Sequence, residues 1–226
     1  LSDWHPVGGG EAGYVVADPS NPDVVWAGEY LGFLSRWDGR THRTSHFGAY
    51  PENGSGRGAG DLAVRFQWTS PIEVSPHDPS VVYHGANVLF RTDDRGQTWT
   101  AISPDLTRDD ESKQGYAGEP ITRDNTGVEV YGTVFAFEES PHRRGLLWAG
   151  SDDGLVHISD DGGESWRDIT PPGMPEWGTV NAIDLSAHNP GRAFLAVHRY
   201  RLDDFRPYIF RTDDFGGSWQ LLTDGD

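Results

Sequence analysis

Apolar residues along this 226-residue chain come in short runs, not in helical stripes. Runs such as "DVVWAG" (23–28), "SVVYHG" (80–85) and "GLLWAG" (145–150) are β-branched or aromatic, and turn residues bound each of them. No 3.6-residue apolar period is sustained. Short apolar runs between turn formers predict strands, so the chain is expected to be all-β.

The runs recur with a fixed companion. The pattern Ser/Thr-x-Asp-x-Gly-x-Ser/Thr-Trp starts at residues 92, 159 and 212. Upstream of each copy lies a turn and then an apolar run: "SPHDPSVVYHG", "SPHRRGLLWAG" and "SAHNPGRAFLAV". A fourth upstream half, "ADPSNPDVVWAG" at 17–28, is followed by "SRWDGRTHRT", which has lost the motif. Each copy reads as four short strands, placed in the third copy at 133–138, 146–150, 155–159 and 165–168. Repeats of this kind predict β-propeller blades. The expected repeats are 14–50, 70–106, 130–172 and 179–224, together one propeller segment of something larger. Residues 1–8 resemble the fourth strand of a repeat, so they are expected to be an outer strand of a preceding or closing blade.

The repeated motif has a structural reading. Asp94, Asp161 and Asp214 can accept backbone N–H groups within a tight turn. Gly96, Gly163 and Gly216 supply a positive φ, and Trp99, Trp166 and Trp219 supply apolar packing. A motif present three times is poorly suited to being one active site. Calcium at one of these loops is the alternative, although the spacing is not that of an EF-hand.

Composition narrows the partners. The formal net charge is −17, which opposes phosphate backbones and anionic membranes. Neither nucleic acid nor membrane insertion is expected. There are no cysteines, so thiol chemistry and disulfides are excluded. No run approaches the ~18 apolar residues of a membrane span. The chain begins at Leu1, as a mature product or a piece of a longer protein would. His77, His142 and His188 fall at the same turn of three repeats and read as structural. No zinc spacing, nucleophile elbow, phosphate loop or dinucleotide fingerprint is present.

The three motifs resemble Asp-boxes, the bacterial neuraminidase repeats of sialidases, sortilin-type receptors and xyloglucanase-type endoglucanases. The run "VRFQWTSPIEVSPHDPSVVYHGANVLFRTDDRGQTWTAISPDLTRDD" (64–110), with "GEPITRDNTG" and "LWAGSDDGLVHISDDGGESW", is similar to large bacterial secreted proteins called glycosyl-hydrolase-like or sortilin-like. The resemblance spans nearly the whole chain. It implies a secreted, periplasmic or cell-envelope location and tandem propellers, hence neighbouring blades from a longer parent chain or another copy.

Propeller geometry places the turns between second and third strands, and the connections between blades, on one face around the channel. Three insertions gather there: 47–67, 107–127 and 199–206. They carry Arg57, Arg65, Tyr116, Tyr200, Arg201 and Arg206, with Trp68 just after the first. Shorter turns add Glu29, Tyr30, Asn87, Asp152 and Asp153, and the third insertion adds Asp203 and Asp204. Aromatic faces with charged hydrogen-bonding partners suit a glycan, and equally an extended peptide. The leading expectation is therefore a binding scaffold. The first alternative is a glycoside hydrolase using Asp152 or Asp153 with Glu29, Asp203 or Asp204, since such enzymes need two carboxyls flanking the bond. The xyloglucanase resemblance points to Asp152, which falls where those enzymes carry a "TD-x-GG" turn, although the second glycine is missing here. The second alternative is a purely structural segment. No arginine cluster with a tyrosine nucleophile can be placed, so sialidase chemistry is not expected. No cofactor is expected.

Overall fold

A computed structural model describes residues 4–11 and 13–223. Its strands form four antiparallel four-stranded meanders, each made from one stretch of chain. The first blade is β1 (Val15–Asp18), β2 (Asn21–Gly28), β3 (Phe33–Asp38) and β4 (Arg43–Gly48). The second is β5 (Ile72–Val74), β6 (Val82–Gly85), β7 (Leu89–Thr92) and β8 (Thr100–Ala101). The third is β9 (Val134–Glu139), β10 (Leu147–Ser151), β11 (Val156–Ser159) and β12 (Arg167–Asp168). The fourth is β13 (Thr179–Leu185), β14 (Ala193–Arg199), β15 (Asp204–Thr212) and β16 (Gln220–Leu221). No helix is long and apolar enough to cross a membrane among the described residues.

The blades bury both faces because their central strands are apolar on both sides. Along β10, Leu147 and Ala149 pack toward the second blade, with Val81, Tyr83 and Leu89. Trp148 packs the other way with Val180, Ile183 and Leu195 of the fourth. Trp26 and Leu34 of the first blade pack on Ile72, Val74 and Val82 of the second. Among the described residues these buried clusters join consecutive blades, and none joins the fourth blade to the first.

Polar ties follow the same order. Both Glu73 carboxylate oxygens on β5 accept the Glu139 N–H of β9, at 3.0 and 2.9 Å. Glu138 on β9 accepts the Leu185 N–H of β13 at 2.9 Å. His77 donates from Nε2 to the Ser140 carbonyl at 2.7 Å, and His142 to that of Ser186 at 2.9 Å. The second and third blades each hand one carboxylate and one imidazole to the next.

The repeated turns are built alike. Asp94 Oδ1 accepts from Thr98 N–H (2.9 Å) and Thr92 Oγ1 (2.8 Å), and its Oδ2 from Thr98 Oγ1 (2.7 Å). Asp161 does the same with Ser165 and Ser159, and Asp214 with Ser218 and Thr212. These hydrogen bonds hold the Asp94 and Asp161 carboxyls down at about 2. Donors surround the oxygens, and no group of three or more acidic or histidine side chains gathers for a metal among the described residues.

The glycines do more than permit the turn. Gly163 has φ +101°, and a Cβ there would lie 2.6 Å from the Ile102 carbonyl of the preceding blade. At Gly216, φ +78°, it would lie 2.7 Å from Ile169 Cδ1. The indole N–H groups of Trp166 and Trp219 donate to those same residues, Ile102 O (3.0 Å) and Ile169 O (2.8 Å). The turn is thus a blade-docking device as well as a corner. Trp99 differs, donating to Gly96 O of its own turn at 3.2 Å.

Of the outer strand expected at 1–8, residues 1–3 lie outside the described residues, and residues 4–8 form no strand. They lie on the side of the first blade turned away from the second. The His5 ring sits 4.7 Å from that of Trp37, and Gly9 N–H donates to Ser35 Oγ at 2.8 Å.

Candidate functional site

The face opposite the Asp turns carries the turns between second and third strands and the two long connections. Those connections are packed together instead of hanging free. Gly60 N–H donates to Gln114 O (2.8 Å) and Gly56 N–H to Asn125 O (2.9 Å). The Tyr116 hydroxyl donates to Asp61, and the Arg123 guanidinium lies 3.8 Å over the Tyr116 ring.

Asp152 and Asp153, expected at an open mouth, are instead buried, at 0% and 1% exposure. Asp152 Oδ1 accepts the N–H groups of Gly132 (3.0 Å) and Thr133 (2.8 Å). Its Oδ2 accepts Thr133 Oγ1 (2.9 Å) and Gln67 Nε2 (3.1 Å). Asp153 accepts Ser151 Oγ (2.6 Å) and Arg108 N–H (2.8 Å), while Arg108 Nε donates to its carbonyl (2.7 Å). Both carboxyls tie the two insertions to the third blade, and neither is exposed.

Other candidates are also committed. Asp204 pairs with Arg206 (2.8 Å) and accepts from the Tyr208 hydroxyl (2.7 Å), which hold its carboxyl far below the usual range. A group so acidic cannot serve as a proton donor near neutrality. Arg65 is buried and donates to Gly132 O (3.1 Å), Asp105 (2.7 Å) and Thr107 Oγ1 (3.2 Å). Asn87, also buried, accepts from Arg65 N–H (3.0 Å) and donates to Asp105 (2.8 Å). Arg57 pairs with Glu52. Arg65 and Asn87 are thereby tied into the loops, and Arg57 keeps a partly exposed side chain.

Aromatic side chains on this face stay at least partly accessible, as do Arg201, Asp203 and Arg206. Tyr30 and Trp68 are half-buried and meet edge-to-face, with ring centroids 5.7 Å apart. Glu11 accepts from the Tyr30 hydroxyl, and Glu29 is the next residue along the chain. Gln67, whose Oε1 accepts Trp68 N–H at 2.8 Å, connects this pair to Asp152. On the far side, Tyr200 is 49% exposed, meets His198 at a tilt with ring centroids 4.7 Å apart and has Arg201 over its ring at 5.4 Å. Asp203 turns that loop with φ +63°. Between them Arg108 and Lys113 lie over the Trp177 ring, at 4.9 and 5.3 Å.

Sequence reading missed Gln67, Arg108, Trp177 and the inter-blade acids. The last were legible: Glu73, Glu138 and Asp184 each stand two residues before the serine of the repeated turn.

The buried acids give stability a defined pH dependence. Burial pushes Glu138 up to about 7, and burial likewise pushes Asp152 up to about 7. Folded pKa values above the unfolded ones mean that the native state binds the extra protons between about pH 4 and 7. Their contribution is full at the acid end of that window and is lost as pH rises through it. The Asp94 and Asp161 contribution runs oppositely, present above about pH 4 and lost toward pH 2. Thermal unfolding is expected to give a higher Tm near pH 5 than at pH 8, and Glu138→Gln should flatten that slope. A Tm that rises steadily to pH 8 would contradict it.

No protein-family profile matches the chain, and no curated protein does. Solved structures do. The GH74 enzyme of Niastella koreensis superposes with a TM-score of 0.58 at 15% identity, over 92% of this chain and 29% of its own. An ancestral GH74 enzyme gives 0.60 at 15%, over 99% and 26%. The extracellular domain of a hybrid two-component system from B. thetaiotaomicron gives 0.53 at 12%, over 94% and 22%. These are β-propeller proteins. The likeness establishes the fold. The chain spans about a quarter of the length of these neighbours.

Proposed function

We propose that the chain is part of an extracytoplasmic bacterial β-propeller whose Asp-box blades hold a glycan-binding face, and that the ligand is a neutral β-glucan chain. The Tyr30–Trp68 pair carries this reading, because aromatic faces flanked by Glu11 and Glu29 suit a sugar's C–H surface and hydroxyls. The net charge of −17 disfavours acidic glycans. The likeness to GH74 enzymes is in keeping with a glycan-related propeller.

Binding is favoured over hydrolysis by the state of the acids. Asp152 and Asp153 are buried in hydrogen bonds, and Asp204 is locked to Arg206. Three of the five candidate acids are thus engaged in contacts within the chain. Titration of cello- and xylogluco-oligosaccharides, followed by indole fluorescence, tests the proposal. Binding should be lost at least tenfold in Trp68→Ala, with Tyr200→Ala affecting it less. An extended basic peptide binding in place of every oligosaccharide would overturn it.

A further inference from the structure

The inter-blade contacts repeat, and among the described residues the last blade presents the same set exposed. In the third blade, Trp148, Val156, Ile158 and Ile169 face the fourth and are buried, each 5% exposed or less. The strand register assigns their counterparts. Trp148 pairs with Glu138 as Phe194 pairs with Asp184, so Phe194 stands where Trp148 does. Ile158 pairs with Arg167 as Arg211 pairs with Gln220. Ile169 N–H donates to Val156 O as Leu222 N–H donates to Ile209 O, both at 2.8 Å. Ile209 and Leu222 therefore hold the places of Val156 and Ile169, yet they are 38% and 42% exposed.

The polar ties are repeated too. Asp184 holds the place of Glu73 and Glu138, which accept a following blade's backbone N–H, and it is exposed. His188 holds the place of His77 and His142, whose Nε2 atoms donate to a following blade's serine carbonyl, and it is also exposed. The Leu222 carbonyl holds the place of Ile102 O and Ile169 O, the acceptors of the Trp166 and Trp219 indoles.

We infer that this face docks one further blade carrying the same Asp turn. The turn's glycine would close on Leu222, its tryptophan would donate to Leu222 O, and its innermost strand would receive Asp184 and His188. The first blade of a second copy does not fit. Its corresponding turn, "SRWDGRTHRT", lacks both the glycine and the tryptophan at those places. Its outward side is already covered by residues 4–9, through His5 on Trp37 and Gly9 on Ser35.

The test appends a second copy of residues 173–223, a repeat known to carry the full turn, directly after residue 223 of the full chain. Hydrogen exchange at Leu222 should slow at least tenfold, and Tm should rise by several degrees. Both gains should vanish when the extended chain carries Leu222→Asp with Asp184→Ala, or when the appended turn has alanine for its tryptophan. The unextended chain should tolerate Leu222→Asp with its Tm almost unchanged, since the side chain is on an uncovered face. An appended repeat that leaves exchange at Leu222 unchanged, or protects it equally without the tryptophan, overturns the inference. So does a concentration-dependent dimer of the unextended chain that Leu222→Asp dissolves, which would make a second copy the occupant.

Discussion

Replacing Asp152 with alanine is expected to lower stability by about 3–5 kcal/mol, a large share of what a domain possesses. The carboxylate is the acceptor for two buried backbone N–H groups, a threonine hydroxyl and the Gln67 amide. Alanine leaves the two N–H groups and the hydroxyl without this acceptor at a buried position, and Gln67 Nε2 with the Val130 carbonyl alone. Asp152→Asn is the informative companion. Its oxygen can still receive Gly132 and Thr133, but its amide then faces the Gln67 amide. Gln67 cannot turn to accept, because its own oxygen holds Trp68 N–H. That variant should lose about 1–3 kcal/mol. Urea unfolding of both measures this directly. If Asp152→Ala unfolds within about 1 kcal/mol of the parent, the residue is not the structural tie described.

The second large effect is expected at Gly163. Gly163→Ala should cost about 2–4 kcal/mol, from a non-glycine residue at positive φ and from a Cβ driven into the Ile102 carbonyl. The neighbouring Gly162 separates the two causes. It too has positive φ, +79°, but nothing lies within 4 Å of its added Cβ. Gly162→Ala should therefore show the backbone strain alone, about 1 kcal/mol. Equal losses at the two positions would mean that the turn does not use its glycine to approach the preceding blade.

Much of the architecture was legible because it repeats. Aligning the chain with itself places the apolar runs, the four-strand units and the role of Asp161 as a turn anchor, since its partners Ser159 and Ser165 lie within four residues. The second role of Trp166 was not legible. Its indole partner, Ile102 O, is 64 residues away on another blade. The burial of two candidate acids was not legible for the same reason. Asp152 and Asp153 look like a polar surface turn in their own neighbourhood. What buries them are Gln67, 85 residues from Asp152, and Arg108, 45 residues from Asp153. Arginine in a glycine-rich loop suggested ligand binding, whereas Arg65 is spent holding Asp105 and Gly132. Local pattern reveals the strand and turn chemistry. It does not reveal which exposed-looking charge a distant loop will cover.

The central claim is that the acids on this face serve architecture and that its aromatics serve binding. Incubating the full chain with xyloglucan and cellohexaose, and measuring new reducing ends beside ligand-induced indole fluorescence, tests it most directly. The account predicts a saturable fluorescence change with no new reducing ends above the protein-free control. Release of reducing ends that Glu29→Gln or Asp203→Asn abolishes would contradict it.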